Sequence, residues 1–194
     1  KGRRTKLEQR NARTAMALTL EKPSIHLYKA LMQVDKDFEA AGEEPYCGVH
    51  SQAGFWLWLW TVREQAKTEA IELGSNPNEI YFLVDEEGRV CACGQFRPVS
   101  TQDVLTWAGH IGYSVPPSLR GRGYAQTILR LLLRMAYERG LTRVLLTCDE
   151  TNAASRHVIE KAGGDYCGNY RERGYNKRQY WFYKQRQRGG LEET

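Results

Sequence analysis

The chain has 194 residues, 41% of them hydrophobic and 26% charged, and its formal net charge is +5. This length and balance predict a single globular domain with a sizeable apolar core, and they exclude a low-complexity or fibrous chain. The most apolar run, residues 55–60, is far too short to span a bilayer, so no membrane partner is expected.

The cysteines indicate a reducing compartment. Their odd number and scattered spacing argue against a disulfide framework; they are Cys47, Cys91, Cys93, Cys148 and Cys167. Cys91 and Cys93 would share one face of a strand as core thiols, and no spacing typical of a metal site is present. No apolar segment follows the basic N-terminal residues, so we expect a cytoplasmic protein. We also expect no metal ion.

The first half of the chain predicts two helices and a hairpin. Residues 1–23 are expected to form a basic tail or arm, 24–186 a single domain, and 187–194 a second tail. Ser24 is placed to cap a helix that ends near Gly42, and a second helix is predicted over 55–73. Strands at 80–84 and 90–96 flank a turn at Gly88.

The second half alternates strands and helices. A strand is predicted at 107–115, a loop at 116–123, a helix at 124–139, a strand at 143–148 and a helix at 152–162. Two aromatic-rich strands follow at 165–170 and 178–183. This order predicts an α+β fold with one central mixed sheet.

The segment between Val115 and Ala125 carries the chemistry. A strand ends, a short loop holds Gly121 and Gly123, and a helix starts at once, so backbone N–H groups converge where a phosphate can bind. Arg120 and Arg122 add positive charge. A P-loop would need Gly-Lys-Ser/Thr, and a dinucleotide fingerprint would need Gly or Ala where Gln126 stands.

The pattern Arg120-x-x-Gly123-x-Ala125 instead resembles the acyl-CoA signature of the GNAT superfamily of N-acetyltransferases. The preceding Val115 and the helix that opens at Asn152 are similar to the same family. The run from Gly109 to Ser114, with residues 145–149 and 152–161, looks like a bacterial branch of predicted acetyltransferases. The resemblance implies a GNAT-like three-layer α+β fold whose central mixed, mostly antiparallel sheet is flanked by helices.

The resemblance also implies acetyl-CoA as co-substrate and a role for each matching position. The backbone of residues 122–125 would hold the pyrophosphate, and the strand backbone at Tyr113 and Val115 would pair with the pantetheine arm. Asn152 and Ser155 match positions that touch the CoA arm. The remaining cofactor-binding candidates lie in the loop and the following helices: Arg120, Gly121, Arg122, Gly123, Tyr124, Ala125, Arg156 and Lys161.

The catalytic groups are less clear in the sequence. His110 stands where some relatives place a general base, but it equally suits a half-buried strand histidine bonded to a neighbour. Many relatives carry a tyrosine as general acid seven residues after the asparagine, and here that position is Ile159. Either another tyrosine supplies the proton or solvent does.

Candidate acceptor-side residues are Glu43, Glu44 and Trp56. The two carboxylates could attract an amine, or they could be a solvated loop. On a helix Trp56 would share a face with Leu59 and Trp60. That face could pack in the core, form a wall of the acceptor pocket or make a homodimer contact.

We therefore expect an N-acetyltransferase that moves an acetyl group from acetyl-CoA to a primary amine by direct attack in a ternary complex. The alternatives are a catalytically silent acyl-CoA-binding module of the same fold and a basic nucleic-acid-binding protein. For the aromatic and basic final hairpin we prefer a structural role, so nucleic acid is not the expected partner.

Overall fold

A computed structural model describes residues 17–44, 52–67 and 76–184. Its centre is a seven-stranded sheet in the order β1-β2-β3-β4-β5-β7-β6. The strands are β1 (Thr19–Glu21), β2 (Glu79–Val84), β3 (Val90–Phe96), β4 (Ile111–Ser114), β5 (Arg143–Asp149), β6 (Asp165–Tyr170) and β7 (Lys177–Tyr183). The helices are α1 (Tyr28–Ala40), α2 (Gln52–Gln65), α3 (Tyr124–Glu138) and α4 (Ala153–Lys161).

The sheet is mixed and mostly antiparallel. Every neighbouring pair runs antiparallel except β4 and β5, which are parallel and meet at one position, Ile111 with Leu146. Antiparallel β3 and β4, by contrast, pair over four positions. The sheet is therefore least tightly joined between β4 and β5, in its middle. This architecture confirms the predicted α+β class.

Helices cover both faces of the sheet and give the molecule three layers. On one face α3 packs its apolar stripe, including the fully buried Ile128, Leu129 and Leu132, against the sheet; α4 adds the buried Ile159. On the other face the buried Leu31 of α1 and Phe55 of α2 pack against β2 and β3. Each such buried side chain contributes about 2 kcal/mol to folding.

Three boundaries differ from the sequence predictions. Thr19–Glu21 forms β1 at the sheet edge, so the domain begins before residue 24. Helix α2 begins at Gln52 and ends at Gln65, and residues 68–73 of the predicted helix lie outside the described residues. Trp107 lies in a π-helical turn, Val104–Ala108, and not in β4. Gly109 then turns the chain into the strand with a φ of 69°.

Two tryptophans of α2 point to solvent and not into the core. Phe55, Leu59 and Val62 form the buried face, whereas Trp56 and Trp60 are exposed. The interpretation of Trp56 and Trp60 as core residues is therefore wrong, because the helix turns its Phe55 side to the sheet and buries only Leu59 of the three.

The two strand cysteines also differ from each other. Both are buried, as predicted. Cys91 is a free thiol, but Cys93 is disulfide-bonded, so the prediction of a free thiol is wrong for Cys93. Within the described ranges, no helix has the length and apolar character needed to cross a membrane.

Candidate active site

A cleft of about 580 Å³ opens where β4 and β5 separate. Arg97 donates its backbone N–H to the His110 carbonyl oxygen, which places alternate residues from His110 onward on the edge that faces β3. The backbone groups of Ile111 and Tyr113 therefore point to the other edge, towards β5. Ile111 pairs with Leu146 there, so Tyr113 directs its backbone groups into the gap between the strands. Val115 follows the end of β4, and its carbonyl oxygen accepts a hydrogen bond from Arg120 Nε at 3.2 Å.

The N-terminus of α3 forms one wall of this cleft. Its cap residue is Gly123, with φ 88°, and no side chain caps the helix. Gly121 also has a positive φ, of 75°. A Cβ built on either glycine would meet no atom within 4 Å. An uncapped helix N-terminus facing open space presents N–H donors and the positive end of the helix dipole to an anion.

Helix α4 forms the opposite wall and is tied to β4 by a tyrosine. The Tyr113 hydroxyl lies 3.0 Å from Ser155 Oγ and 3.2 Å from the Ser155 carbonyl oxygen. Asn152 caps α4 as predicted, because its Oδ1 accepts the Ser155 backbone N–H at 2.9 Å. Burial raises the pKa of Tyr113 to about 12, so its phenol stays protonated near neutral pH.

Most of the predicted cofactor residues line this cleft together. They are Tyr113, Val115, Arg120, Gly121, Gly123, Tyr124, Ala125, Asn152, Ser155 and Lys161. Arg122 and Arg156 do not line it; Arg122 is exposed and donates to the Ser118 carbonyl oxygen.

Gln126 and His157 are among the lining residues that the sequence did not point to. Gln126 donates its side-chain N–H to the Val158 carbonyl oxygen at 2.7 Å and joins α3 to α4 across the cleft. His157 lies one turn before Lys161 on the same face of α4, and that spacing is the signal that could have identified it.

Glu43 and Arg120, which are far apart in the sequence, meet at the wall of the cleft. Both terminal nitrogens of Arg120 donate to the Glu43 carboxylate, at 2.7 and 2.6 Å. The hydrogen bond from Arg120 lowers the pKa of the Glu43 carboxyl. Glu44 is exposed and does not line the cleft, and neither does the exposed Trp56.

His110 is 1% exposed and does not line the cleft. Its Nδ1 accepts the Leu145 backbone N–H at 2.9 Å, so the ring proton is on Nε2, which lies 3.0 Å from Ser100 Oγ. Burial lowers the pKa of His110 to about 4. Both ring nitrogens are thus engaged within the fold, which favours the structural role over that of a base.

The model of the acetyltransferase (GNAT) family matches residues 43–164, more than half of the chain. The chain belongs to the GNAT acetyltransferase family. The match spans the loop, α3, β5 and α4, so it includes every wall of the cleft described above. No curated protein matches this GNAT chain.

Solved structures share its fold. RimJ from Mycobacterium smegmatis, in complex with CoA-disulfide, has a TM-score of 0.66 at 15% identity, covering 86% of this chain and 81% of its own. The Salmonella typhimurium acetyltransferase that modifies the N-terminal serine of ribosomal protein L7/L12 has a TM-score of 0.62 at 17% identity, covering 89% and 97%. Spermidine N-acetyltransferase from Vibrio cholerae, in complex with CoA and spermine, has a TM-score of 0.56 at 14% identity, covering 86% and 95%. At these low identities, the likeness to the solved structures shows a common GNAT-like fold and nothing beyond the fold.

Proposed function

We propose that the cleft binds acetyl-CoA and that the protein transfers the acetyl group to a primary amine. The observation that carries this proposal is the uncapped N-terminus of α3, which opens into the cleft through Gly121 and Gly123. A pyrophosphate is the kind of anion that such a terminus binds. Open space beside both glycines leaves room for its oxygens to approach the backbone.

The gap between β4 and β5 suits the amide-rich arm of CoA. The backbone groups of Tyr113 and the backbone N–H of Val115 would pair with it as an added strand does, and a strand N–H would polarise the thioester carbonyl. Asn152 and Ser155 would contact the arm from α4. Lys161 and His157, also on that wall, supply further donors for phosphate oxygens.

The proton transfers in this proposal do not use His110. Its lone pair on Nδ1 accepts the Leu145 N–H, and a ring with a pKa of about 4 is a weak base for an ammonium group. Ile159 is fully buried and has no proton to give. We infer that water takes the proton from the amine and that solvent protonates the CoA thiolate, which leaves as the amide bond forms. Binding and orientation would supply most of the rate.

A primary amine is the proposed acceptor class. Structural neighbours include a spermidine acetyltransferase and an enzyme that modifies an N-terminal serine. Both substrates present an amine to an acetyl donor, so a polyamine and a peptide with a free N-terminus are the first acceptors to test.

A catalytically silent CoA-binding domain is the second candidate. The burial of His110 and the presence of Ile159 where many relatives carry an acid favour it. Calorimetry with CoA tests binding, and release of free thiol from acetyl-CoA with spermidine, an N-terminal serine peptide and a lysine peptide tests transfer. Heat without thiol release supports the silent domain, and absence of heat rejects both candidates.

A further inference from the structure

Two sets of contacts join the glycine loop, residues 116–123, to the last turn of α1 and to the segment that follows it. Asp37 Oδ2 accepts the Ser118 backbone N–H at 3.1 Å and the Ser118 hydroxyl at 2.8 Å. Glu43 accepts two hydrogen bonds from Arg120. These partners are 81 and 77 positions apart in the chain. Ser118 and Arg120 of the loop are thereby held by side chains from one distant segment, residues 37–43.

Most of the Arg120 guanidinium is engaged within the protein. Its Nε donates to the Val115 carbonyl oxygen at 3.2 Å, and two further N–H groups point at Glu43. The group also lies 5.9 Å from the centre of the Phe38 ring. Three of its five donors are therefore used to join the loop to the end of β4 and to the segment after α1.

The charge of Arg120 is largely compensated where it lies. A lone arginine would attract a polyanion to the cleft, but Glu43 places a carboxylate against it, with a closest N–O distance of 2.6 Å. If Glu43 acted only through its charge, neutralising it would tighten the binding of CoA. If Glu43 instead holds the loop, neutralising it would weaken that binding, because the freed loop must lose conformational freedom when it binds CoA.

We propose that Glu43 and Asp37 are positioning residues that hold the glycine loop in its anion-binding shape, with Arg120 and Ser118 as the loop's anchors. Arg120 is then an anchor of the loop and not a phosphate ligand. The inference rests on the proposed binding of CoA for its functional consequence, but the anchoring itself concerns the ligand-free protein.

The test compares Glu43→Gln, Arg120→Gln and the double variant with wild type. Glu39→Gln, the same chemical change on the exposed end of α1, is the matched control. Calorimetry gives the Kd for CoA, and hydrogen–deuterium exchange of the peptide covering 116–124 reports on the loop without ligand. We expect Glu43→Gln to weaken CoA binding by about fivefold, the size of effect an exposed ion pair has. Arg120→Gln should weaken it to a similar extent, and the double variant no further.

Exchange in the loop should be faster in Glu43→Gln and Arg120→Gln, and unchanged in Glu39→Gln. The proposal is overturned if Glu43→Gln binds CoA as tightly as wild type or more tightly, or if loop exchange stays at the wild-type rate. A much larger loss in Arg120→Gln than in Glu43→Gln would make Arg120 a phosphate ligand. If wild type itself gives no heat with CoA, the proposed function fails, and loop exchange alone decides whether the anchoring is real.

Discussion

The buried imidazole of His110 predicts a specific loss of stability in acid. Its pKa is lowered by burial from 6.5 to about 4 in the folded protein, whereas the unfolded chain keeps the ordinary value. Between these two values the unfolded state binds a proton that the folded state does not. Stability is therefore complete above about pH 6.5 and falls as the pH drops towards 4. At about 1.4 kcal/mol for each pH unit, the loss is about 3 kcal/mol.

The substitution His110→Gln isolates this effect. A glutamine can accept the Leu145 N–H with its side-chain oxygen and donate to Ser100 with its amide, but it does not titrate. Urea unfolding at several pH values from about 7 to 4 measures the free energy of unfolding of both proteins. We expect the wild type to lose about 3 kcal/mol more than the variant over this range.

The control is His157→Gln, which removes a histidine that is exposed on α4. Its pH profile should follow that of the wild type. Carboxylates that pair in the folded state, such as Glu79 with Arg139, add acid sensitivity to all three proteins alike. Parallel profiles for wild type and His110→Gln would refute the assignment of His110 as a buried neutral group.

The same variant tests the catalytic role. If His110 only supports the fold, a folded His110→Gln protein keeps its acetyl-transfer rate within about threefold, whereas loss of a general base costs about a hundredfold or more.

Three further predictions concern single side chains. Gly123→Val should abolish the heat of CoA binding, while Gly140→Val, which carries the same positive-φ strain at the other end of α3, should leave it intact. Tyr113→Phe should lower the free energy of unfolding by about 1 kcal/mol, because a partly buried hydrogen bond to Ser155 is lost; no change in urea unfolding would contradict this. Gly109→Ala should cost about 3 kcal/mol, since its φ of 69° and a Cβ 3.1 Å from the Leu145 carbonyl oxygen are both unfavourable, and a wild-type melting temperature would disprove it.

The sequence alone was enough to indicate the family and the wall of the cleft that we propose binds an anion. Val115, the two loop glycines and the first turn of α3 are consecutive, and strand, turn and helix signals act over a few residues. Asn152 was recognisable as a helix start for the same reason, because a cap bonds a backbone N–H only three residues ahead. The sheet class followed from the order of these local elements.

Only the tertiary structure decided which polar groups are paired and which are buried. His110 finds Leu145 35 positions away, and Glu43 finds Arg120 77 positions away. No periodicity encodes such contacts, because they depend on how distant segments pack. The three-residue strand β1 was too short to show an alternating pattern, and its pairing with β2 places it in the sheet. The residues around Trp107 predict a strand, yet Trp107 lies in a π-helical turn. The Thr106 and Trp107 carbonyl oxygens of this turn accept hydrogen bonds from the side chains of Gln179 in β7 and Thr147 in β5. Local propensity determined most of the helices and strands of this protein, whereas long-range packing determined β1, the turn at Trp107 and the chemical state of the buried side chains.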